Sequence, residues 1–511
     1  MAGRKVNPYN FLVVLTVALG SFTYGFTVNV TGPVLGMPSF YDYFNLDITS
    51  TTGVIGAIPG CYFGGGIVGA VLGAWACERF GRRRALFATS VIGVVGGVLL
   101  GSAVHVSMIL IGRALSGICS GGFQTIVPIY QSEISPAHRR GHMVGQHGFL
   151  LVVGASVATW GGLGCSFASN PQVQWRLALA LSGLSPLILA PAIFWLPESP
   201  RWLITREHYE PALRVLEKFH KVPGDESNTL AREEYLQIRQ QIELEARNRT
   251  TILASIRQPP MRKRMIIGFL TQFLLQCSGV LVTVTYQVIL YNNLGITGWL
   301  AICLLAVYNT WSAVGNFTNA LMLDHFGRKR LLLVGLTGSV FALTLYTIMV
   351  ARYAGTSNRV GCGFGVFFVY LYTTFYGFCL DSTSYVYCSE IFPAYMRTTG
   401  MAVSIIGYFA PALLFGQLAP TAFATIGWKY YLIFILVPAC GLPVIWLYFP
   451  ETKQLSLEEI AALFGEEVAL DITHMSEDQK RDLDEQVTKV DTNTFAMGGE
   501  KALAATVETV R

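Results

Sequence analysis

Amide and hydroxyl side chains recur at helical spacing inside apolar stretches of this chain. Gln272, Gln276, Thr283 and Gln287 are separated by 4, 7 and 4 residues, which places them on one narrow face of a helix with Tyr286 beside it. Asn309, Ser312, Asn316 and Asn319 form a second such face in the next apolar block. Amides and hydroxyls both donate and accept hydrogen bonds, so these faces suit an uncharged solute with many hydroxyl groups. The same groups can also tie helices together in lipid. The first face is read as solute-binding; the second fits either use. Asp381, Arg113 and His147 add ionisable groups within apolar stretches. An unpaired carboxylate is costly there, so Asp381 reads as functional. His147 could hold a proton near neutral pH, but is read first as a satisfied packing histidine. No paired carboxylates, nucleophile–base pair or phosphate-binding loop appears, so neither an enzyme nor a cofactor is expected.

The elements that must position these residues are membrane helices. The chain is 52% hydrophobic and 13% charged, where a soluble domain carries about 25% charged residues. Its apolar residues come in blocks of about 20, enough to cross the hydrocarbon core as a helix that satisfies its own backbone. Twelve blocks are read: 10–30, 53–77, 85–104, 106–131, 143–163 and 175–196, then 264–288, 299–323, 331–351, 361–387, 401–425 and 429–449. The first is too long for a signal-peptide core and lacks a small-residue cleavage site, so it reads as a retained helix. The ten cysteines show no metal spacing and read as small packing residues.

Charged signatures between the blocks repeat in one order. Glu78-Arg79-Phe80-Gly81-Arg82-Arg83-Arg84 returns as Asp324-His325-Phe326-Gly327-Arg328-Lys329-Arg330. Ser132-Glu133-Ile134 with Pro136 and Arg140 returns as Ser389-Glu390-Ile391 with Pro393 and Arg397. Pro197-Glu198 is echoed by Pro450-Glu451. The copies start at 78 and 324, 133 and 390, and 197 and 450, offsets of 246, 257 and 253. Three motifs in register indicate duplication, the way alternating-access transporters are built. The fold class expected is an all-α membrane protein of twelve transmembrane helices in two pseudo-symmetric six-helix bundles. The expected division is a tail over 1–9, bundles over 10–196 and 263–450, a charged linker over 197–262 and a tail over 451–511. Within the linker, Glu210–His220 and Ala231–Arg247 read as amphipathic helices. Ser456-Leu457-Glu458-Glu459 reads as a helix start, and the tail past Asp471 as disordered. The cations sit in alternate short loops, which puts both termini in the cytoplasm and explains the net charge of +5 without nucleic acid.

Taken with Pro197-Glu198-Ser199-Pro200-Arg201-Trp202-Leu203 and Pro450-Glu451-Thr452-Lys453, these motifs resemble the sugar porters of the major facilitator superfamily, most of all its fungal members. The resemblance spans roughly residues 10–465. It implies two six-helix halves around a central cavity, and a gating role for Arg82, Arg83, Glu133, Arg140, Glu198, Asp324, Arg328, Glu390, Arg397 and Glu451. Pairs formed only with the cytoplasmic side closed would bias such a two-state carrier.

The departures matter as well. On the seventh span the family's Gln-Gln-x-x-Gly-x-Asn reads Leu275-Gln276-Cys277-Ser278-Gly279-Val280-Leu281. On the tenth, Gly-Pro-x-x-Trp reads Asp381-Ser382-Thr383-Ser384-Tyr385, which makes Tyr385 a further binding candidate. The fifth-span Gln falls on Gly148. Arg113 matches a family arginine near the proton-coupling site, but the aspartate that the family's proton symporters carry on the first span is Thr27 here. The resulting expectation is a carrier in the plasma membrane for a sugar or related polyhydroxylated solute. Alternatives are a same-fold carrier or exporter of a non-sugar metabolite and, last, a nutrient sensor, since sensors of the family carry longer tails. Expected partners are a small-molecule solute and the lipid bilayer, with protons if coupling has moved to Asp381 or His147. No nucleic acid is expected, and the protein is read as monomeric.

Overall fold

The computed structural model describes residues 8–220 and 258–465, apart from gaps at 48–49, 136–139, 355, 357, 394–395, 454, 456–459 and 461–462, and scattered positions between 231 and 242. The expected helix over Ala231–Arg247 lies largely outside the described residues; the helix start at Ser456–Glu459 and the tail past Asp471 lie wholly outside them. Met1–Gln454 forms one compact unit and Leu455–Arg511 another; the fold below is that of the first.

Among the described residues, eleven helical stretches are long and apolar enough to cross a membrane. The last, Arg397–Tyr448, has 52 residues and reverses at Gly427, where φ is +56°. At about 1.5 Å per residue it far exceeds a bilayer, so it is two spans and the total is twelve. In the first half the spans are Pro8–Asn29 (continued by Thr31–Leu35), Thr52–Phe80, Arg82–Gly101, Val106–Ile134, Arg140–Ser166, and the pair Pro171–Ala180 and Leu184–Ala192. In the second they are Pro259–Gln276 with Val280–Asn293, Trp299–Phe326, Arg328–Tyr353, Arg359–Phe375 with Asp381–Ile391, Arg397–Ile426 and Tyr431–Tyr448.

The seventh span corrects two expectations. Its helix starts at Pro259, inside the stretch assigned to the linker, because its first residues, Pro259 to Lys263, carry two prolines and two cations that hydropathy leaves out. It is also broken at Cys277–Gly279, so the spacing of Gln272, Gln276, Thr283 and Gln287 does not run along one continuous helix. The break needs Gly279, whose φ of +83° is the left-handed region that costs other residues energy. The tenth span is interrupted as well, by a π-helical turn over Tyr376–Leu380 directly before Asp381. Such turns occur often at functional sites, and interrupted spans are where transporters place their binding groups.

In the linker, Pro200–Thr205 and Tyr209–His220 are helical, the second as expected. They dock on the face where the first span begins. Trp202 Nε1 donates to the Glu78 carbonyl at 3.2 Å, and Tyr9 meets Trp195 and Phe219 at ring distances of 5.3 and 5.9 Å.

Candidate functional site

Hydrogen bonds bring the two halves together at mid-depth. Ser21 Oγ lies 2.7 Å from His147 Nδ1, and His147 Nε2 lies 3.1 Å from Gln124 Oε1. Gln124 Nε2 donates across the halves to Tyr385 Oη at 3.0 Å. That donation turns Gln124 Oε1 toward the imidazole, so Nε2 carries the hydrogen and Ser21 donates to Nδ1 in the neutral ring. His147 is thus a satisfied histidine, edge-on to Tyr385 at 5.6 Å. Tyr24 Oη donates to Tyr408 Oη, a second bond between the halves. Tyr408 in turn faces Tyr385 at a ring distance of 6.2 Å. Nearer the other face, Trp160 meets Thr310 at 2.9 Å and Thr421 meets Thr52 at 3.1 Å. Neutral hydrogen bonds each contribute only about 1 kcal/mol, so the seam can exchange partners at low cost.

Asp381 borders this seam on the second half and is partly exposed. Its Oδ2 accepts from Asn316 Nδ2 at 2.7 Å, and Asn316 Oδ1 accepts from Ser382 Oγ at 2.6 Å. Thr383 Oγ1 donates to Asn319 Oδ1 at 2.9 Å. The eighth-span face is therefore largely spent on the tenth span, with Asn309 bonding its own helix at the Leu305 carbonyl.

The broken seventh span differs. Gln272 Nε2 donates to Ser384 and Gln276 Nε2 to Tyr376, both at 3.4 Å, and Gln287 Nε2 donates to Tyr291 at 2.6 Å. The Oε1 atoms of all three are buried without a partner. Buried carbonyl oxygens are nearly always satisfied, so these three open acceptors on one span are exceptions, as are those of Gln131 and Gln146. Thr283 is buried on the same span. Tyr286 is committed elsewhere, donating to the Gly416 carbonyl at 2.9 Å, and ties the seventh span to the eleventh.

Thr27 and Arg113 make a separate cluster. Thr27 Oγ1 lies 3.0 Å from Tyr62 Oη and 2.9 Å from Ser120 Oγ. Arg113 is 1% exposed, donates to the Thr27 carbonyl at 2.7 Å and sits 4.2 Å above the Tyr62 ring. Among the described residues no carboxylate pairs with it. The end of the first helix, with its partial negative charge, and the π face offset the guanidinium instead.

The repeated charges build matching locks on the face where the first span begins. Arg82 grips Glu133 bidentately, Nε to Oε2 at 2.7 Å and Nη2 to Oε1 at 2.6 Å. Arg328 grips Glu390 likewise at 3.1 and 2.8 Å. Glu198 accepts from the backbone N–H groups of Arg82 and Arg83, and Glu451 from those of Arg328 and Lys329. Each carboxylate caps a helix N-terminus, where its charge is favoured. Burial pushes the Glu198 carboxyl up, against the pull of its Ser199, Arg82 and Arg83 donors. Gly81 and Gly327, at φ of +91° and +88°, leave room for these caps: a Cβ would lie 2.5 Å from Glu198 and 2.7 Å from Glu451.

Not every expected partner belongs to the locks. The Arg83 side chain turns to the Ile193 and Phe194 carbonyls at the end of the sixth span, away from Glu133. The Arg140 and Asp324 side chains lie outside the described residues, and Arg397 is half-buried nearby. One element of the repeat escaped the sequence reading. Tyr130 donates to the Pro197 carbonyl and Tyr387 to that of Pro450, and each Tyr precedes its Glu by three residues. Ser21, Tyr24, Gln124 and Tyr408 were missed as well, being single polar residues without a periodic face.

The comparisons with known proteins agree with this architecture. A family model described as sugar (and other) transporter matches residues 13–464. The chain is 28% identical to the MFS-type transporter criB of Aspergillus cristatus, covering 92% of this chain and 96% of that one. It is 26% identical to a high-affinity glucose transporter of Kluyveromyces lactis (90% and 86% covered) and 27% identical to a quinate permease of Neurospora africana (89% and 89%). A solved structure of the proton:xylose symporter XylE bound to 6-bromo-6-deoxy-D-glucose has the same fold. It superposes with a TM-score of 0.77 at 22% identity, covering 89% of this chain and 99% of that one. With its duplicated locks, its twelve spans and a family match over most of its length, the chain belongs to the sugar (and other) transporter family.

Proposed function

We propose that the protein carries a sugar or related small polyhydroxylated solute across a membrane by alternating access, with its termini on the cytoplasmic side of the plasma membrane. One observation carries the reading most: three buried amide oxygens without partners, on Gln272, Gln276 and Gln287, lie along a broken span. Solute hydroxyls would donate to them, while Tyr376 and Tyr385 offer phenols alongside. The seam between the halves is held by neutral hydrogen bonds that rocking could break and remake. The Arg82–Glu133–Glu198 and Arg328–Glu390–Glu451 sets each lie within one half, so their gating role is to keep the helix ends of that half moving as a block. Uptake of a labelled sugar and polyol panel into transporter-null cells at two pH values tests this. Absence of uptake or efflux of every panel member would defeat it.

A second reading has its own support. Asp381-Ser382-Thr383-Ser384-Tyr385 replaces the family's tenth-span motif, and relatives of similar identity include a quinate permease. A same-fold carrier of a non-sugar metabolite would then transport a panel member such as a hydroxylated carboxylic acid in preference to hexoses. Energy coupling divides similarly. Thr27 cannot hold a proton, so the protein is either a facilitator or a symporter whose proton rides on Asp381.

A further inference from the structure

The internal repeat exposes a difference between the halves at the membrane edge. Tyr9 and Lys263 lie near the starts of the first and seventh spans, 254 residues apart, and Trp195 and Tyr448 near the ends of the sixth and twelfth, 253 apart, both within the 246 to 257 offsets of the repeated motifs. In the first half the linker helix Tyr209–His220 covers this seam. Phe219 packs on Tyr9, and Lys218 Nζ sits 5.0 Å over the same ring. In the second half the corresponding stretch is lined, among the described residues, by Arg262, Lys263, Ile266, Leu270, Val444 and Tyr448 and others around a cavity of about 390 Å³.

Its chemistry is layered. Arg262, Lys263 and Tyr448 are exposed at the rim, at the level of the charged locks. Ile266, Leu270 and Val444 follow one and two helical turns toward the hydrocarbon. An occupant must carry negative charge at one end and acyl chains at the other. Cationic pockets between transmembrane helices have this affinity for acidic headgroups, and a tyrosine at that depth favours the interface. We propose that the groove between the seventh and twelfth spans is a binding site for an anionic phospholipid of the leaflet that borders the locks, its headgroup held by Arg262 and Lys263.

Near a membrane surface each cation is worth about 1 kcal/mol toward an acidic lipid, so removing both should weaken binding roughly 30-fold. The test uses the purified full-length protein in detergent. Bound lipid is counted by native mass spectrometry during titration with phosphatidylserine, phosphatidylcholine of the same acyl chains, or glycerophosphoserine, which lacks the chains. The expected result is saturable binding of phosphatidylserine over phosphatidylcholine, weak binding of the chainless headgroup, and loss of the preference in R262A/K263A. Should that double variant not fold, Arg262→Gln alone is expected to lose about fivefold. Equal binding of the two lipids, undiminished preference in the variants, or full competition by glycerophosphoserine would each overturn the site.

Discussion

The two charge locks share a sequence pattern but differ in how water reaches them, and that difference sets the cost of disabling each. Glu133→Gln keeps the shape and one acceptor oxygen and removes only the charge. Arg82 and Glu133 have side chains 9% and 10% exposed, so the arginine left behind is a buried charge without its counter-ion, at a cost of about 3–5 kcal/mol. Arg328 is similarly buried at 8%, but Glu390 is 24% exposed, and Thr452 Oγ1 also donates to it at 2.7 Å. Water can enter once the Glu390 charge is gone, so Glu390→Gln should cost nearer 2 kcal/mol, the range of a hydrogen bond to a charged group. At about 2 °C per kcal/mol for a large chain, Glu133→Gln should lower the unfolding midpoint by roughly 6–10 °C and Glu390→Gln by about 4 °C. Thermal unfolding of the purified variants, compared at one scan rate because such unfolding is commonly irreversible, measures both. An equal drop, a larger drop for Glu390→Gln, or a fall of less than about 2 °C for Glu133→Gln would show that burial of these pairs does not govern their contribution.

Three further substitutions probe the transport cycle. Gln276→Ala removes one amide at the broken span and should weaken solute affinity roughly tenfold with protein levels unchanged, from one or two hydrogen bonds of about 1 kcal/mol each; unaltered transport kinetics would make the residue helix glue. Gly279→Ala forces a side chain into the φ +83° position, where the ideal Cβ lies 2.7 Å from the Phe434 ring. Strain of about 1–2 kcal/mol plus that contact should reduce transport severalfold, and wild-type uptake would mean the break is not needed. Asp381→Asn keeps the side chain's shape while removing its proton. If wild-type protein accumulates solute, one pH unit with 100 mV supplies about 3.7 kcal/mol, roughly 500-fold, and the variant should only equilibrate it; concentrative, proton-driven uptake by the variant would release Asp381 from the role.

How much of this was legible in the sequence follows from the range of the interactions involved. Spans and locks depend on local composition and on motifs short enough to repeat recognisably, so twelve blocks and the two matching sets of loop charges could be read directly, though not which arginine meets Glu133. The ends of spans were harder. Arg262 and Lys263 belong to a helix that hydropathy begins late, because their exposed charges at the helix start are solvated and cost little. The break at Gly279 was invisible to a spacing argument, since four polar residues at intervals of 4, 7 and 4 fit an unbroken helix equally well. The eighth-span asparagines show the same ambiguity resolved by tertiary contact. An amide that meets Asp381 or Thr383 across a helix interface has the same sequence signature as one that waits for a solute, and only the partner distinguishes them. The seam between the halves was least legible, because Tyr24, Gln124 and Tyr408 are isolated in sequence and acquire meaning only when spans from both repeats meet. Duplication explains that blind spot. Each half inherits its own locks intact, so they read as a repeat, whereas a contact between halves has no second copy in the chain to announce it.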